Sequence, residues 1–266
     1  EFGPRALGGR SILGCPSAAG VADRINEQIK FRERWRPFCP SMLDTVGPQM
    51  LGSEHPAPFM TFTFEVAEEW KSRVPEVVHE DGTSRAQVLK REFNPRYYDL
   101  MLELEKLTGN GVVLNTSLNR RGEPMICSPT DALNMFFGSD LQYLIMEDVL
   151  VVKGEVKDEN GAPVKDAEVT ITYMDTRKTE VIQVDEADGK YATVVRLKPG
   201  ADVVMTVKKP DHVFDSRAFT AEDTARGGVA EVDMQVAPIE VGRSYRVNDI
   251  KFATNRAEIT PASAHM

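Results

Sequence analysis

The chain has 266 residues, of which 41% are hydrophobic and 27% are charged, as in soluble globular proteins of about two domains. Its formal net charge of −9 argues against general nucleic-acid binding, which needs an excess of Lys and Arg. The apolar runs are far shorter than the roughly 20 residues of a membrane span. Three cysteines without short spacing favour buried or reduced thiols over a disulfide framework or a zinc site.

The first 30 residues predict a loop followed by a helix. Residues 1–14 are rich in Gly and Pro and carry Arg5 and Arg10, so the backbone and both guanidinium groups could approach an anion. An ordinary surface connector is the alternative. Residues 17–30 show apolar positions at helical spacing, with Ser17 as the candidate N-cap.

Residues 29–41, IKFRERWRPFCPS, carry cations at alternate positions: Lys30, Arg32, Arg34 and Arg36. In an extended segment these four side chains leave one face, and Phe31 and Trp35 point toward a core. Four cations on one face repel one another unless an anion lies between them, and phosphate suits Arg and Lys well. The segment therefore indicates an anion site. A solvated basic edge strand is the alternative.

The next segments are mostly irregular until residue 95. Residues 60–67 alternate well enough for a strand, and a turn at Asp81-Gly82 precedes Arg85. His79 is interpreted as a packing or hinge residue or as a catalytic one. A metal role for it is rejected, since it has no second ligand nearby in the sequence.

The clearest helix is predicted over residues 95–108 and ends at Gly109-Asn110-Gly111. A short buried strand, 111–114, then delivers the NTSLN run (115–119) at its C-terminal end, where ligands dock in open α/β sheets. Another helix is predicted over 129–138, with Ser128 or Thr130 near its start. A simple turn cap is the alternative role for Ser117 and Asn119.

The second half predicts strands and no catalytic site. Residues 141–153 read as strands, and from residue 154 short β-branched runs are broken by the hairpin signals Asn160-Gly161 and Asp188-Gly189. The acidic residues of this half read as solvated strand faces, with calcium binding by a few of them as the alternative.

Six blocks of the first half, in sequence order, resemble the C-terminal part of the O-carbamoyltransferases, a group that includes nodulation and antibiotic-tailoring enzymes. They are EFGPRALGGRSIL, IKFRERWRPFCPS, HEDGTSRAQV, YY, VLNTSLN and GEP, and the resemblance covers residues 1–153. It implies an α+β or α/β domain of the YrdC-like fold, akin to threonylcarbamoyl-adenylate synthases. Those enzymes place a Lys-x-Arg pair and a Ser-x-Asn pair around ATP and a carbamoyl anion.

The resemblance also implies a site. Lys30, Arg32 and Arg85 are the residues expected to act in catalysis. The set expected to bind substrate or nucleotide is Arg5, Lys30, Arg32, Arg36, Arg85, Asn115, Ser117 and Asn119.

The chemistry implied by the family begins with carbamoyl phosphate and ATP, with Mg²⁺, which give carbamoyl adenylate and pyrophosphate. The carbamoyl group then passes to a hydroxyl acceptor held by an N-terminal domain of actin-like fold. The motifs of that domain, including its metal-binding histidines, do not occur in this sequence. We therefore expect a partial carbamoyltransferase without a tightly bound metal.

The second half is similar to proteins of another kind. Residues 154–236 resemble the carboxypeptidase-regulatory-like or SpaA-like (Ig-like) β-sandwich modules of bacterial envelope proteins, and residues 237–266 resemble the truncated start of an OmpA-like peptidoglycan-binding domain. The predicted domains are therefore 1–153, 154–236 and 237–266.

This likeness leaves an alternative function open: an envelope protein that binds peptidoglycan and carries an inactive first domain. A chimera of two genes is a further alternative. The first domain predicts a cytoplasmic location, and the second half predicts the envelope or periplasm if it decides the location.

Overall fold

A computed structural model describes residues 6–147, 149–196, 202–219 and 233–239. The chain divides into two compact units between residues 141 and 142. The boundary expected after Lys153 falls inside a strand, Val149–Lys157, in which Gly154 pairs with Tyr191. The strand continues through Gly154 because it is rich in valine and the partner strand supplies a continuous ladder of pairs.

The first unit mixes helices with one main sheet, in agreement with the predicted α+β class. Its helices are α1 (Val21–Arg24), which continues as a π-helix (Ile25–Ile29), α2 (Gly47–Leu51), α3 (Glu68–Lys71), a 3₁₀ turn (Pro75–Val77), α4 (Pro95–Thr108) and α5 (Pro129–Phe137). Its strands are β1 (Ser11–Gly14), β2 (Cys39–Leu43), β3 (Phe64–Glu65), β4 (Thr83–Ser84), β5 (Gln87–Leu89) and β6 (Val112–Ser117).

The main sheet has the order β1-β6-β2-β5. β6 runs antiparallel to both of its neighbours, whereas β2 and β5 are parallel. The strand predicted over 111–114 extends to residue 117, so Asn115 and Ser117 lie within β6 rather than after it. Since side chains alternate along a strand, these two residues share one face of the sheet.

The two longest helices of this unit confirm the predictions, and a side chain caps the start of each. Asn94 Oδ1 accepts from the Tyr97 amide of α4 at 3.1 Å, and Gly109 ends that helix with φ 73°. In α5, Ser128 Oγ accepts from the Asp131 amide at 3.1 Å, and the Asp131 carboxylate accepts from the Ser128 amide at 2.9 Å. This reciprocal pair is a capping box, which satisfies amides that the first turn cannot pair.

Two other predicted elements are shorter than expected. The helix predicted from Ser17 begins at Val21, and Ser17 Oγ instead contacts Cys15 Sγ at 3.2 Å. The first amides of that helix are capped by Glu76, which accepts from Gly20 and Ala22 at 2.9 Å each. The strand predicted over 60–67 shrinks to residues 64 and 65.

The second unit is β-rich. Its described strands are β7 (Tyr143–Met146), β8 (Val149–Lys157), β9 (Glu168–Tyr173), β10 (Lys178–Gln183), β11 (Lys190–Arg196), β12 (Val203–Lys208), β13 (His212–Val213), β14 (Asp215–Phe219), β15 (Met234–Gln235) and β16 (Ala237–Pro238). One sheet has the order β10-β9-β12-β14 and another the order β11-β8-β15, with β7 also paired to β8.

Buried side chains from both of these sheets form one hydrophobic cluster, including Val152, Val156, Ile171, Val195 and Met205. β16 pairs with β13, so residues 237 and 238 belong to the strands of this unit rather than to a separate domain. The rest of the OmpA-like stretch, from residue 240 onward, lies outside the described residues. None of the helices in the described ranges is long and apolar enough to cross a membrane.

Candidate anion site of the first unit

The cation-rich loop, residues 30–36, is not extended, so the expectation that four cations leave one face is wrong. Phe31 has a φ of 51°, and the Arg36 amide closes a turn on the Glu33 carbonyl at 3.3 Å. Phe31 and Trp35, expected to point toward a core, are 49% and 75% exposed. The turns break the two-residue period of a strand, so the cations diverge.

A buried asparagine organises this loop. Asn26 is 0% exposed and lies in the π-helix, a form of helix that is frequent at functional sites. Its Nδ2 donates to the carbonyls of Arg34 and Arg36 at 3.1 Å each. Its Oδ1 accepts from Arg32 Nε at 2.6 Å, and its backbone carbonyl accepts from the Arg32 amide at 2.9 Å. Asn26 thereby sets both the path of the loop and the direction of the Arg32 guanidinium.

Lys30 points inward to the end of β6. Its Nζ donates to the carbonyls of Ser117 and Asn119 at 2.7 and 2.9 Å and to Asn119 Oδ1 at 2.9 Å, with Ser117 Oγ at 3.4 Å. Burial, and after it the charge of Arg32, lowers the pKa of Lys30 to about 7. Since an ammonium has only three hydrogens, these protein acceptors occupy all of them.

The Ser-x-Asn turn is closed by its own contacts as well. Ser117 Oγ donates to Asn119 Oδ1 at 2.6 Å, and Asn119 Nδ2 donates to the Glu123 carbonyl at 2.7 Å. The structure therefore brings Lys30, Ser117 and Asn119 into direct contact.

Arg85 contacts Cys39, the first residue of β2, and Arg32 lies over Phe38, the residue before it. Arg85 Nε donates to Cys39 Sγ at 3.2 Å. The Arg32 guanidinium lies 4.6 Å from the centre of the Phe38 ring. Burial, and after it the charge of Arg36, lowers the pKa of Arg32. Each guanidinium is held through Nε, and within the described ranges its terminal nitrogens have no protein acceptor.

The other two cations of the loop pair with carboxylates. Arg34 forms ion pairs with Asp23 and, at 3.1 Å, with Glu27, and its side chain is 64% exposed. Arg36 Nε lies 2.8 Å from Glu33 Oε2. Only part of the alternating series is thus available to an external anion.

Asn115 lies on the main sheet beside Cys39 and Ser117. It is 1% exposed and stands opposite Cys39 in the β2–β6 register, two residues before Ser117. Its Nδ2 donates to the Ala6 carbonyl at 3.1 Å and to Ser41 Oγ at 2.9 Å.

The remaining expected residues lie elsewhere. Arg5 is outside the described residues. Arg10 Nη1 donates to the Ile126 carbonyl at 2.8 Å, which ties the N-terminal loop to the chain after β6. His79 Nδ1 shares a hydrogen with Thr83 Oγ1 at 3.1 Å, and burial lowers its pKa.

The comparison with known families decides the class of this protein. A family model described as the carbamoyltransferase C-terminus matches residues 1–153. The chain belongs to the carbamoyltransferase family. The matched segment includes the whole first unit and continues into β7 and β8.

Several curated proteins are similar to this carbamoyltransferase chain. Nodulation protein NolO of Bradyrhizobium diazoefficiens is 40% identical over 156 residues, which are 58% of this chain and 28% of that protein. Nodulation protein U of Rhizobium tropici is 43% identical over 122 residues, 46% of this chain and 21% of that protein. Nodulation protein NolNO of Sinorhizobium fredii is 30% identical over 254 residues, 94% of this chain and 36% of that protein.

These shares have two consequences. The chain spans between 21% and 36% of the length of these relatives. The alignment with NolNO covers 94% of the chain and so extends well into the second unit.

Sequence reasoning missed two residues of the site. The sequence did contain an indication for Asn26. It is a polar residue directly beside Ile25, which belongs to the apolar face of the predicted helix. Cys39 carried none beyond its closeness to the cations, because its contact with Arg85 joins residues 46 positions apart.

Proposed function

We propose that the first unit of this carbamoyltransferase binds carbamoyl phosphate and ATP with Mg²⁺ and forms carbamoyl adenylate for transfer to a hydroxyl. The observation that carries the proposal is that Arg32 and Arg85 are each held through Nε, with terminal nitrogens that have no protein acceptor in the described ranges. Guanidinium nitrogens of this kind can donate to an anion with several oxygens, and phosphate suits their planar fork.

The charges of the two substrates explain why such a pair suits the reaction. Carbamoyl phosphate and a triphosphate are both anionic and repel each other until cations lie between them. A hydrogen bond to a charged group contributes about 1.5–3 kcal/mol. Two guanidinium groups therefore contribute both to the binding of the substrates and to their alignment. The same groups stabilise charge on departing pyrophosphate, which makes positioning and electrostatics the main source of catalysis.

Lys30 has a different role in this proposal from the one its motif implies. Its ammonium holds the Ser117–Asn119 turn, so it acts through that turn and through its charge rather than by a direct hydrogen bond to phosphate. Ser117 and Asn119 then orient neutral ribose or phosphate oxygens. Arg36 adds charge at the edge of the site through its guanidinium, which Glu33 partly neutralises.

The proposed formation of carbamoyl adenylate consumes one water molecule and releases pyrophosphate and inorganic phosphate. The bond between the α-phosphorus of ATP and the oxygen that bridges to the β-phosphate breaks, and pyrophosphate leaves with the electron pair. A carbamate oxygen forms the new bond to the α-phosphorus. That carbamate forms beforehand, when water attacks carbamoyl phosphate and breaks the bond between its carbamoyl group and its phosphate, so that inorganic phosphate leaves. The residues named here stabilise these anions and do not form a covalent intermediate.

Several features beyond this unit are part of the proposal as well. We propose that the unit has the YrdC-like fold and works in the cytoplasm with an acceptor domain of the kind that completes the family's reaction. The second unit is proposed to be a β-sandwich of the carboxypeptidase-regulatory-like kind, which is supported by two sheets whose buried residues form one cluster.

The test measures ATP binding to the full chain and exchange of labelled pyrophosphate into ATP. We expect saturable ATP binding, and exchange only when carbamoyl phosphate and Mg²⁺ are both present. Arg32→Ala and Arg85→Ala should each weaken ATP binding by about tenfold or more. Arg34→Ala is the matched control: it removes a cation from the same loop whose guanidinium already pairs with carboxylates, so we expect less than about a threefold change.

Two outcomes would contradict the proposal. An equal loss of affinity in Arg34→Ala and Arg32→Ala would indicate general charge attraction rather than a site. A folded chain that neither binds ATP nor catalyses exchange would favour the envelope function instead.

A further inference from the structure

Three buried polar side chains form a chain of hydrogen bonds on the main sheet of the first unit. Ser41, Gln87 and Asn115 are 0%, 3% and 1% exposed. Ser41 Oγ donates to Gln87 Oε1 at 2.6 Å, and Asn115 Nδ2 donates to Ser41 Oγ at 2.9 Å. The register places Ser41 opposite Gln87 on β5, so the contacts run across β6, β2 and β5.

The direction of every hydrogen bond in this chain is determined. Gln87 Nε2 donates to the Pro58 carbonyl at 3.2 Å, and Asn115 Nδ2 donates to the Ala6 carbonyl at 3.1 Å. Backbone carbonyls can only accept, so the side-chain amides of Gln87 and Asn115 cannot be flipped to exchange oxygen and nitrogen. Gln87 therefore presents its oxygen to Ser41. The one hydrogen of that hydroxyl goes to Gln87, and Ser41 must accept from Asn115.

This polarity leaves Asn115 Oδ1 as a buried acceptor without a donor among the described residues. Such groups are rare in proteins and call for an explanation. The position of the residue suggests one. Asn115 stands opposite Cys39, which accepts from Arg85, and it precedes by two residues Ser117, whose carbonyl accepts from Lys30. Asn115 thus lies on the sheet beside the residues that contact Arg85 and Lys30.

We propose that Asn115 Oδ1 accepts a hydrogen bond from the N–H of a carbamoyl group, and that this contact selects carbamoyl phosphate over acyl phosphates without an amide nitrogen. The inference rests on the proposed function, because it assigns one part of that site to one part of the substrate. Phosphate oxygens are acceptors, so they belong beside the guanidinium groups and are repelled by a carboxamide oxygen. The carbamoyl nitrogen is a neutral hydrogen-bond donor in a planar group. It can supply the donor that Asn115 Oδ1 lacks.

The discriminating ligand is acetyl phosphate, which has a methyl group where carbamoyl phosphate has NH₂. A site that hydrogen-bonds a substrate N–H rejects the analogue that lacks it, because the buried acceptor then stays unpaired. The test measures the affinity of the full chain for each acyl phosphate in competition, with Mg²⁺ and an unreactive ATP analogue present.

We expect wild type to prefer carbamoyl phosphate by about tenfold or more. Asn115→Leu, which keeps the volume of the side chain and removes the oxygen, should bring the two affinities to within about threefold. Its affinity for the ATP analogue should change less than its preference. Asn115→Ala removes the same oxygen and serves if the leucine variant does not fold.

Ser41→Ala is the matched control. It removes a buried polar group from the same chain of hydrogen bonds, but the Ala6 carbonyl still holds Asn115 Nδ2, so the carbamoyl preference should remain. An equal loss of preference in Ser41→Ala and Asn115→Leu would show that the network only supports the fold, and would overturn the inference.

The remaining outcomes separate this inference from the proposed function. Equal affinity of wild type for the two acyl phosphates would overturn the role of Asn115 and leave the proposed function standing. Failure to bind either acyl phosphate, together with absence of pyrophosphate exchange, would overturn both.

Discussion

The two units of the chain differ in what they bury. Among the described residues, the first unit buries a set of polar side chains in its interior: Asn26, Lys30, Ser41, Ser84, Gln87 and Asn115. The described part of the second unit buries Ser216 and otherwise a core of Val, Ile, Met, Leu, Ala and Tyr. Both units are built on sheets, so strand pairing does not explain the difference.

The buried polar side chains of the first unit serve its proposed function, whereas the apolar core of the second unit serves its stability. A buried polar group destabilises the fold unless each of its donors and acceptors is paired. In the first unit these groups hold Arg32, orient the Ser117–Asn119 turn and leave Asn115 Oδ1 unpaired. In the second unit, β ladders and apolar burial stabilise the fold, and its described residues include no comparable arrangement.

The largest effect is expected from a cavity in the second unit. Ile171 is 0% exposed in β9, which lies between β10 and β12. Ile171→Ala should lower the free energy of unfolding of that unit by about 2–5 kcal/mol, through lost burial and the cavity left behind. Urea titration followed by circular dichroism measures this. Val181→Ala, at a site 60% exposed, is the control and should change the free energy of unfolding by about 0.5 kcal/mol or less.

ATP affinity sharpens the same comparison. It should be unchanged in Ile171→Ala under conditions where the second unit stays folded. A loss of ATP affinity in Ile171→Ala would show that the site of the first unit depends on the second unit, contrary to the division of the chain into two units.

The next effect concerns the buried lysine of the first unit. The pKa of Lys30 falls from its ordinary value of 10.5 to about 7, so between these values the unfolded chain binds more protons at this residue than the native protein does. Its contribution to the free energy of unfolding therefore rises with pH across that window.

Between pH 7 and 9, the difference in free energy of unfolding between wild type and Lys30→Met should increase by on the order of 2 kcal/mol. Denaturant titrations at several pH values measure it. Lys106→Met is the control, because Lys106 is a surface residue paired with Glu103 and should give a flat difference. A flat profile for Lys30→Met as well would mean that the lysine titrates normally.

The smallest effect is expected from releasing Arg32. Asn26→Leu removes the oxygen that holds Arg32 Nε and should weaken ATP binding by about tenfold, or roughly 1.4 kcal/mol. Asp23→Asn, which weakens only the ion pair of Arg34, is the control with unchanged affinity. Isothermal titration calorimetry on folded variants measures both, and full ATP affinity in Asn26→Leu would exclude the positioning role.

The sequence was informative about the fold wherever the signal is local. Gly109 marks the end of α4 and Ser128 the start of α5 in the structure as they do in the sequence, because a cap acts on amides or carbonyls within one turn. The β-rich character of the second half followed from its β-branched runs and turn residues. The boundary at residue 153 differs from the structural division after residue 141, because pairing with β11 and β7 recruits β8 to the second unit.

For the site, the sequence by itself determined the residue types and the family, since the motifs are contiguous and their chemistry suits anions. Among the described residues, the tertiary structure decided which cations keep terminal nitrogens without a protein acceptor. Asn26 turns the loop and holds Arg32 through Nε, and acidic residues of the same region pair with Arg34 and Arg36. The orphan oxygen of Asn115 likewise depends on the carbonyl of Ala6, 109 residues away in the chain. Contacts at such separations are set by packing, and no local pattern encodes them.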